Sequence, residues 1–551
     1  MNATPSGTID DDTLGQLARE RRLPLFPLLT QAEAMVPLVI VLAFLPALYA
    51  IHHRTLTEAG AWEGLASLRC MEARSLPEFV DTAALDSANP YRYQPPLMTW
   101  LTEIGMRLAG AGTVAGSLAA AYLCTAGFVV AGYILARRLG GELLGLISAG
   151  LLAFNPVVLE GAQEPIPQSA ACLFAVLALA GAVAHWQKSP VVTSYQLLLG
   201  GLALGACLLA GGPVALAVLL IVLLYVVLWK ADARLRRSLG VSRERSPFSR
   251  RPALRSTVVL AATAFAVGGW HVLLMSTRHG LDFWKNWWTV PQTAELAAAQ
   301  LTGGAWLMDT AQEFNRLALP LLGMSLVGLV TIVRDLFRAE DDPARQHRGL
   351  LVVWIAVALP VWLISRGFLD AGAPSVRTWE TLLAIPLVIA AALALIEIAE
   401  RRISFSIALI FGLLSVAGTA VYVDQWLTGG MARAAIPMFA GTHLSPSGAA
   451  LLLLIGSAGF VLARYASGQD APRRVVLTAI LAAIVAANCV WGVLAVRRTS
   501  AGDRELERLR TGLARLRTDN RVARCTFVDL TPPAAFEPVD LPPQLVYVLA
   551  S

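Results

Sequence analysis

Apolar runs of about 20 residues recur along nearly the whole chain, the length a helix needs to cross the hydrocarbon core of a bilayer. Thirteen such runs begin near Met35, Thr113, Glu142, Pro167, Tyr195, Gly212, Ser256, Asn315, Gly349, Thr378, Ile403, Ser447 and Val475. The runs from Tyr195 and Gly212 are split only at Gly211-Gly212-Pro213, so they read as two spans or as one long bent helix, which lowers the count to twelve. The pattern predicts an all-α polytopic membrane protein. No secretory signal peptide is expected, because 34 polar or mixed residues precede the first run.

Polar stretches divide the chain. Residues 1–34 read as an N-terminal segment and residues 35–496 as the transmembrane domain. Two long inserts interrupt that domain: 53–112, and 276–314 with Trp284, Trp287, Trp288 and Trp306. In the tail, 497–551, Leu506, Leu509, Leu513 and Leu516 keep helical spacing. Residues 522–530 and 544–549 read as short strands, so a small α/β appendage without a catalytic signature is expected there.

Composition confirms the class. Hydrophobic residues make up 56%, charged residues 15%, and the mean hydropathy is +0.61. An ordinary globular protein has roughly a quarter charged residues. A soluble enzyme, a disordered chain and a disulfide-rich secreted module are therefore excluded. With a cytoplasmic N-terminus, the cytoplasmic connections hold 24 of the 44 Lys and Arg, against 11 in the external connections. That asymmetry sets the expected orientation, with the C-terminus external. The net charge of +6 thus reflects topology rather than a nucleic-acid partner, and the stretch from Lys230 to Arg255 reads as a cytoplasmic loop beside anionic headgroups.

The six cysteines show no Cys-x-x-Cys spacing, so no zinc or redox site is expected. Cys124, Cys172, Cys207 and Cys489 fall inside spans as small apolar fillers. Cys70 and Cys525 both fall on the external face, where a disulfide between them is a hypothesis. His52 and His53 mark a membrane interface. No metal site and no cofactor are expected, with the divalent-metal requirement open. The external loops hold no Asp-x-Asp pair, so a nucleotide-sugar donor is not expected.

The first insert carries the candidate chemistry. Residues 56–68 read as a short helix with Thr57 as N-cap and Glu58 in the first turn, against the helix dipole. Glu58 and Glu63, five residues apart, point about 140° apart on a helix, so they do not form one paired-carboxylate device. If one faces a cavity, the other is structural. Further on, Pro95-Pro96 starts a second helix. Its apolar stripe is Leu97, Trp100, Leu101, Ile104 and Leu108, with Thr99, Thr102, Glu103 and Arg107 opposite. This helix is too short to cross and is expected to lie in the interface plane.

The stretch Thr57-Glu58-Ala59-Gly60-Ala61-Trp62-Glu63, followed by Gln94-Pro95-Pro96-Leu97-Met98-Thr99-Trp100-Leu101, resembles two motifs of the GT-C membrane glycosyltransferases. The resemblance is to glycosyltransferase family 39, the aminoarabinose transferase and protein O-mannosyltransferase-like branch. That branch shows Asp-Glu-x-x-Tyr-x-Glu after its first span and Lys-Pro-Pro-Leu-x-x-Trp-Leu later. Asp282-Phe283-Trp284 through Leu317-Ala318-Leu319-Pro320, and Arg377 through Pro386, also resemble the family. The resemblance covers most of residues 35–500. It implies a GT-C fold with about 13 transmembrane helices and external loop helices, in a bacterial inner membrane. It also implies transfer of a sugar from a polyprenyl-phosphate donor to a lipid, protein or glycan hydroxyl at the outer face, with the acceptor open.

The sequence departs from the family at two sites. Thr57 stands at the family's catalytic Asp and Gln94 at its phosphate-binding Lys; Gly60 and Ala61 are further changes. Glu58 is the substitute base, Glu63 the second catalytic candidate, and Arg92, Gln94 and Arg377 are the candidate donor-phosphate ligands. Glu160 and Glu164 match a second acidic position in the next external loop, where ordinary interfacial carboxylates are the plainer reading. The alternatives are a catalytically degenerate GT-C-fold protein that binds a lipid-linked glycan or a partner, and, ranked last, a transporter. Against the transporter, the spans carry few ionisable residues.

Overall fold

The computed structural model describes residues 58–72, 93–110, 113–188, 195–238, 250–288, 321–337, 347–368 and 374–400, with scattered positions at 36–41, 310–318 and 402–411. Among the described residues every regular element is a helix. Helices α1 (Glu58–Glu72) and α2 (Leu97–Ala109) occupy the first polar insert. The bundle continues with α3 (Val114–Gly140), α4 (Glu142–Ala153), α5 (Pro156–Ala162), α6 (Pro167–Lys188), α7 (Tyr195–Gly211) and α8 (Pro213–Ser238). It closes with α9 (Arg250–Ala264), α10 (Trp270–Trp288), α11 (Leu322–Phe337), α12 (Gly349–Phe368) and α13 (Pro374–Ala399). Five helices among the described residues are long and apolar enough to cross a membrane, six if one bent pair counts as a span. The expected spans from Met35, Ile403, Ser447 and Val475, the segment 1–34 and the tail 497–551 fall wholly or mostly outside the described residues.

Local chemistry sets the breaks. Thr113 caps α3 by accepting a hydrogen bond from the Gly116 amide at 3.0 Å, and Gly141 ends the helix with φ +89°. The run from Glu142 is not one straight span. It stops at Phe154, Asn155 turns extended, and α5 leaves at 64° to α4. Pro156 has no N–H to continue a helical ladder, and the Asn155 side chain restarts one by accepting from the Val157 amide at 3.0 Å. The runs from Tyr195 and Gly212 form separate helices, divided at Gly212 with φ +48°. A single turn of π-helix, Phe265–Gly269, joins α9 to α10. Beyond it α10 runs into the second insert as far as Trp288, kinked at Gly280 (φ 56°, ψ −131°).

Burial shows which helices face lipid. The apolar window of α13 is 89% buried inside the protein, whereas that of Arg255–Trp284 is 33% buried. The first is therefore the centre of the bundle and the second its lipid-facing edge. Around α13 pack α11, α12, α6 and α4, and α6 also packs on α3 and α7. Small residues allow close backbone approach, as expected where lipid tails supply no hydrophobic drive between helices. A Cβ on Gly181 of α6 would lie 2.8 Å from the Gln196 carbonyl of α7.

The helix directions agree with the alternation read from the basic loops. At one end, Gln187 donates to the Arg138 carbonyl at 2.6 Å, Arg348 to the Leu139 carbonyl at 3.2 Å, and Tyr225 meets His347 at 3.1 Å. At the opposite end, the heads of α6 and α13 meet α5 and the close of α12.

Candidate functional site

The two motif segments of the first insert fold onto each other. Helix α1 presents Glu63, Ser67 and Cys70 along one face, and α2 answers with Thr99, Thr102 and Glu103, all buried. Thr99 donates its hydroxyl to Glu63 Oε1 at 2.6 Å, and Ser67 donates to the Thr99 carbonyl at 3.1 Å. Glu103 pairs with Arg107 one turn on, at 2.6 Å. The polar side of α2 is thus turned inward, while Ile104 and Leu108 of its apolar stripe are exposed. An amphipathic helix with its greasy side outward fits the expected place in the interface plane.

Glu63 is 8% exposed. Burial pushes its carboxyl up to about 7, against the opposing hydrogen bond from Thr99. Cys70 sits in the same seam as a buried free thiol, held up to about 12 by burial and then by the carboxylates of Glu103 and Glu63. Its suggested disulfide partner, Cys525, lies outside the described residues. A carboxyl whose pKa is raised on folding stabilises fully below its ordinary value near 4.5, and that contribution is lost as pH rises through about 7. The apparent melting temperature of purified protein is therefore expected to fall between pH 5 and pH 8, and Glu63→Gln to flatten that slope. A slope unchanged in the variant would refute the assignment.

Gln94 and Pro95 lie at the opening of α2, next to an aromatic wall from α10. A Cβ on Gly212 would fall 2.7 Å from the Trp287 indole nitrogen and 3.3 Å from Pro95 Cγ, so a glycine is required where the three elements converge. Trp287 in turn makes an edge contact with Trp284, and Tyr93 with His279, at 5.4 Å each. Gln94 is half-buried, Glu58 is the first residue of α1 with its side chain outside the described part, and Arg92 lies outside the described residues.

The head of α6 is the wall shared with the second part of the site. On one side Met98 of α2 packs with Ala170 and Ala171 of α6 and Ala210 of α7. On the other, Gln168 hydrogen-bonds Thr381 of α13, and Cys172 approaches the Thr378 carbonyl at 3.6 Å. Arg377, in the first turns of α13, lies 3.6 Å from Glu164 in the α5–α6 turn. Glu160, expected in a loop, sits instead on the short helix α5.

Four ionisable residues that sequence reasoning passed over join it: Glu313, Arg316, Arg366 and Glu380. Arg316 Nη1 donates to Glu160 at 2.9 Å, its Nη2 to Glu380 at 2.9 Å, and its Nε lies 2.5 Å from Glu313. Arg366 reaches Glu380 at 3.3 Å and lies over the Trp362 ring at 5.6 Å. Asn155 pins the same strand of chain by donating to the Leu317 carbonyl at 3.0 Å. The signal for this cluster was present, since an arginine and a glutamate standing in otherwise apolar runs mark function by default. Among the described residues no cluster of three or more His, Cys, Asp or Glu is suited to hold a metal ion.

Residues 93–241, the stretch from the Pro-Pro motif through α8, match the family model for dolichyl-phosphate-mannose-protein mannosyltransferase. No curated protein sequence matches the chain. Among solved structures, the architecture is similar to ArnT from Cupriavidus metallidurans in the apo state, at 17% identity and a TM-score of 0.57. That likeness covers 94% of this chain and 85% of the other. The chain has the GT-C fold. ArnT from the same organism bound to undecaprenyl phosphate is similar at 15% identity, over 94% of this chain and 84% of that one, with a TM-score of 0.53. With its apolar helices, that fold makes the chain an integral multi-pass membrane protein.

Proposed function

We propose that this chain moves a sugar from a polyprenyl-phosphate donor to the hydroxyl of a lipid, protein or glycan acceptor at the outer face of a bacterial inner membrane. The N-terminus is then cytoplasmic and the C-terminus external, as the basic loops indicate. The observation that carries the reading is that the second motif segment and the start of α13, with Arg377, flank the head of α6, while the first motif segment is seated on the second. A donor of this type has a greasy tail and an anionic head. The exposed Ile104 and Leu108 of α2 suit the tail.

For the head, Arg377 is the least committed guanidinium of the cluster. Among the described residues its side-chain partner is Glu164 at 3.6 Å, whereas Arg316 meets three carboxylates. A guanidinium fork matches phosphate oxygens bidentately, and Gln94 adds a neutral donor. Arg92 is the further candidate in this role. The acceptor hydroxyl attacks the anomeric carbon, a carboxylate takes its proton, and the sugar–phosphate bond breaks with the electron pair going to phosphate. Glu58 is the base in this proposal. Glu63, engaged by Thr99, fixes α1 on α2. Undecaprenyl phosphate, bound by the Cupriavidus protein, is the carrier type against which the proposal is framed.

A second reading is favoured by Thr57 and Gln94, which replace the acid and the cation of the motifs. Under it the chain binds a lipid-linked glycan without transferring it. Incubation of purified protein with labelled polyprenyl-phosphate sugars separates the two, because transfer consumes the donor and binding alone does not. In the same assay Arg377→Gln is expected to raise the KM for donor by roughly tenfold or more, the loss of one charge-assisted phosphate contact. Donor binding without consumption under any acceptor would favour the second reading.

A further inference from the structure

The cluster around Arg316 is expensive. Glu380 is 1% exposed and Arg366 6%, and apolar residues of similar volume generally hold such a position at lower cost. Its layout indicates what it serves. Glu160 and Glu164 stand four residues apart across the end of α5, and Arg377 and Glu380 stand three apart on the first turns of α13. Two rungs therefore tie the same two elements. The outer rung is Glu164–Arg377, single and 3.6 Å long. The inner rung runs Glu160–Arg316–Glu380, with contacts of 2.9 Å on both sides of the guanidinium. The outer rung is the longer and weaker of the two, and the inner one ties the same turns of α5 and α13 more closely.

We infer that Arg316 and Glu160 are positioning residues for the phosphate group of the lipid-linked donor, acting through Arg377. This rests on the reading that Arg377 binds that phosphate. Arg316 and Glu313 stand one turn apart on the segment returning from the second insert, and Glu313 also lies 4.0 Å from Arg366. Glu160 is the part of the brace most open to water, with its side chain 39% exposed.

The sign of one substitution separates this role from a simple field effect. Glu160→Gln removes a negative charge near the anion site, so electrostatics alone would tighten phosphate binding. A broken brace weakens it. The dissociation constant of undecaprenyl phosphate is measured on the full-length, detergent-purified protein for the wild type, Glu160→Gln, Arg377→Gln and their double variant. Glu160→Gln is expected to weaken binding roughly fivefold, and the double variant to bind no more weakly than Arg377→Gln, since residues acting through one another are not additive. Arg316→Lys keeps the charge but cannot hold three carboxylates in a fork, and it is expected to weaken binding as Glu160→Gln does.

Tighter binding by Glu160→Gln, additive losses in the double variant, or wild-type binding by Arg316→Lys each overturn the inference while leaving the phosphate role of Arg377 intact. An Arg377→Gln variant that binds like wild type removes that role itself, and the brace with it.

Discussion

Glu58→Gln is expected to lower sugar transfer from a polyprenyl-phosphate donor by roughly 10²- to 10⁴-fold, the usual contribution of a positioned general base. The amide is nearly isosteric with the carboxylate and still hydrogen-bonds, but it cannot take the acceptor proton at neutral pH. Glu58 opens α1, where the positive end of the helix dipole favours the ionised carboxylate a base requires. It also adjoins Thr57, which stands where the motif it resembles has an Asp. Single-turnover transfer with labelled donor gives the rate. Undecaprenyl phosphate binding by the same variant, expected to stay within about threefold of wild type, shows that chemistry rather than recognition was lost. An unchanged transfer rate would eliminate Glu58 as the base and return the search to Glu160, Glu164 and Glu313.

The largest effect on stability is expected from Gly328→Ala. A Cβ at this position of α11 falls on the backbone carbonyl of Ala390 in α13, and no side-chain rotation relieves a clash with backbone. Helix α13 is the buried centre of the bundle, so α11 must move instead. That shift opens the seam next to the segment carrying Arg316. Overpacking typically costs 1–3 kcal/mol, and a clash with main chain falls at or above about 3 kcal/mol. Gly127→Ala supplies the contrast, because its Cβ would meet only the side chain of Leu173, at 3.3 Å, and that side chain can turn aside. The apparent melting temperature should drop by several degrees for Gly328→Ala and by far less for Gly127→Ala. Equal melting of the two variants would contradict the packing argument.

Helix α2 shows how far the chain can be read without its fold. Its two faces and its start at Pro95-Pro96 follow from residue spacing alone. The direction each face takes does not. In water the apolar stripe would be buried, but Ile104 and Leu108 are exposed and Thr99, Thr102 and Glu103 are buried. That arrangement is the inverse of the one water selects, and it is the one expected of a helix lying against lipid. Glu63 followed the same logic. As a sequence element it is one of two acids on a helix, and only the contact with Thr99 makes it the buried partner in a seam.

Residue order carried the membrane class, most helix starts and the two motif segments, and it left the junction at Gly212 open between two spans and one bent helix. These depend on local quantities: the length of an apolar run, a proline without an N–H and a glycine that accepts positive φ. Tertiary structure decided which charges meet. Glu160 and Arg316 are 156 residues apart, and Arg316 and Glu380 are 64 apart. No local rule pairs them, because the attraction that joins them acts only after the helices have packed and excluded water.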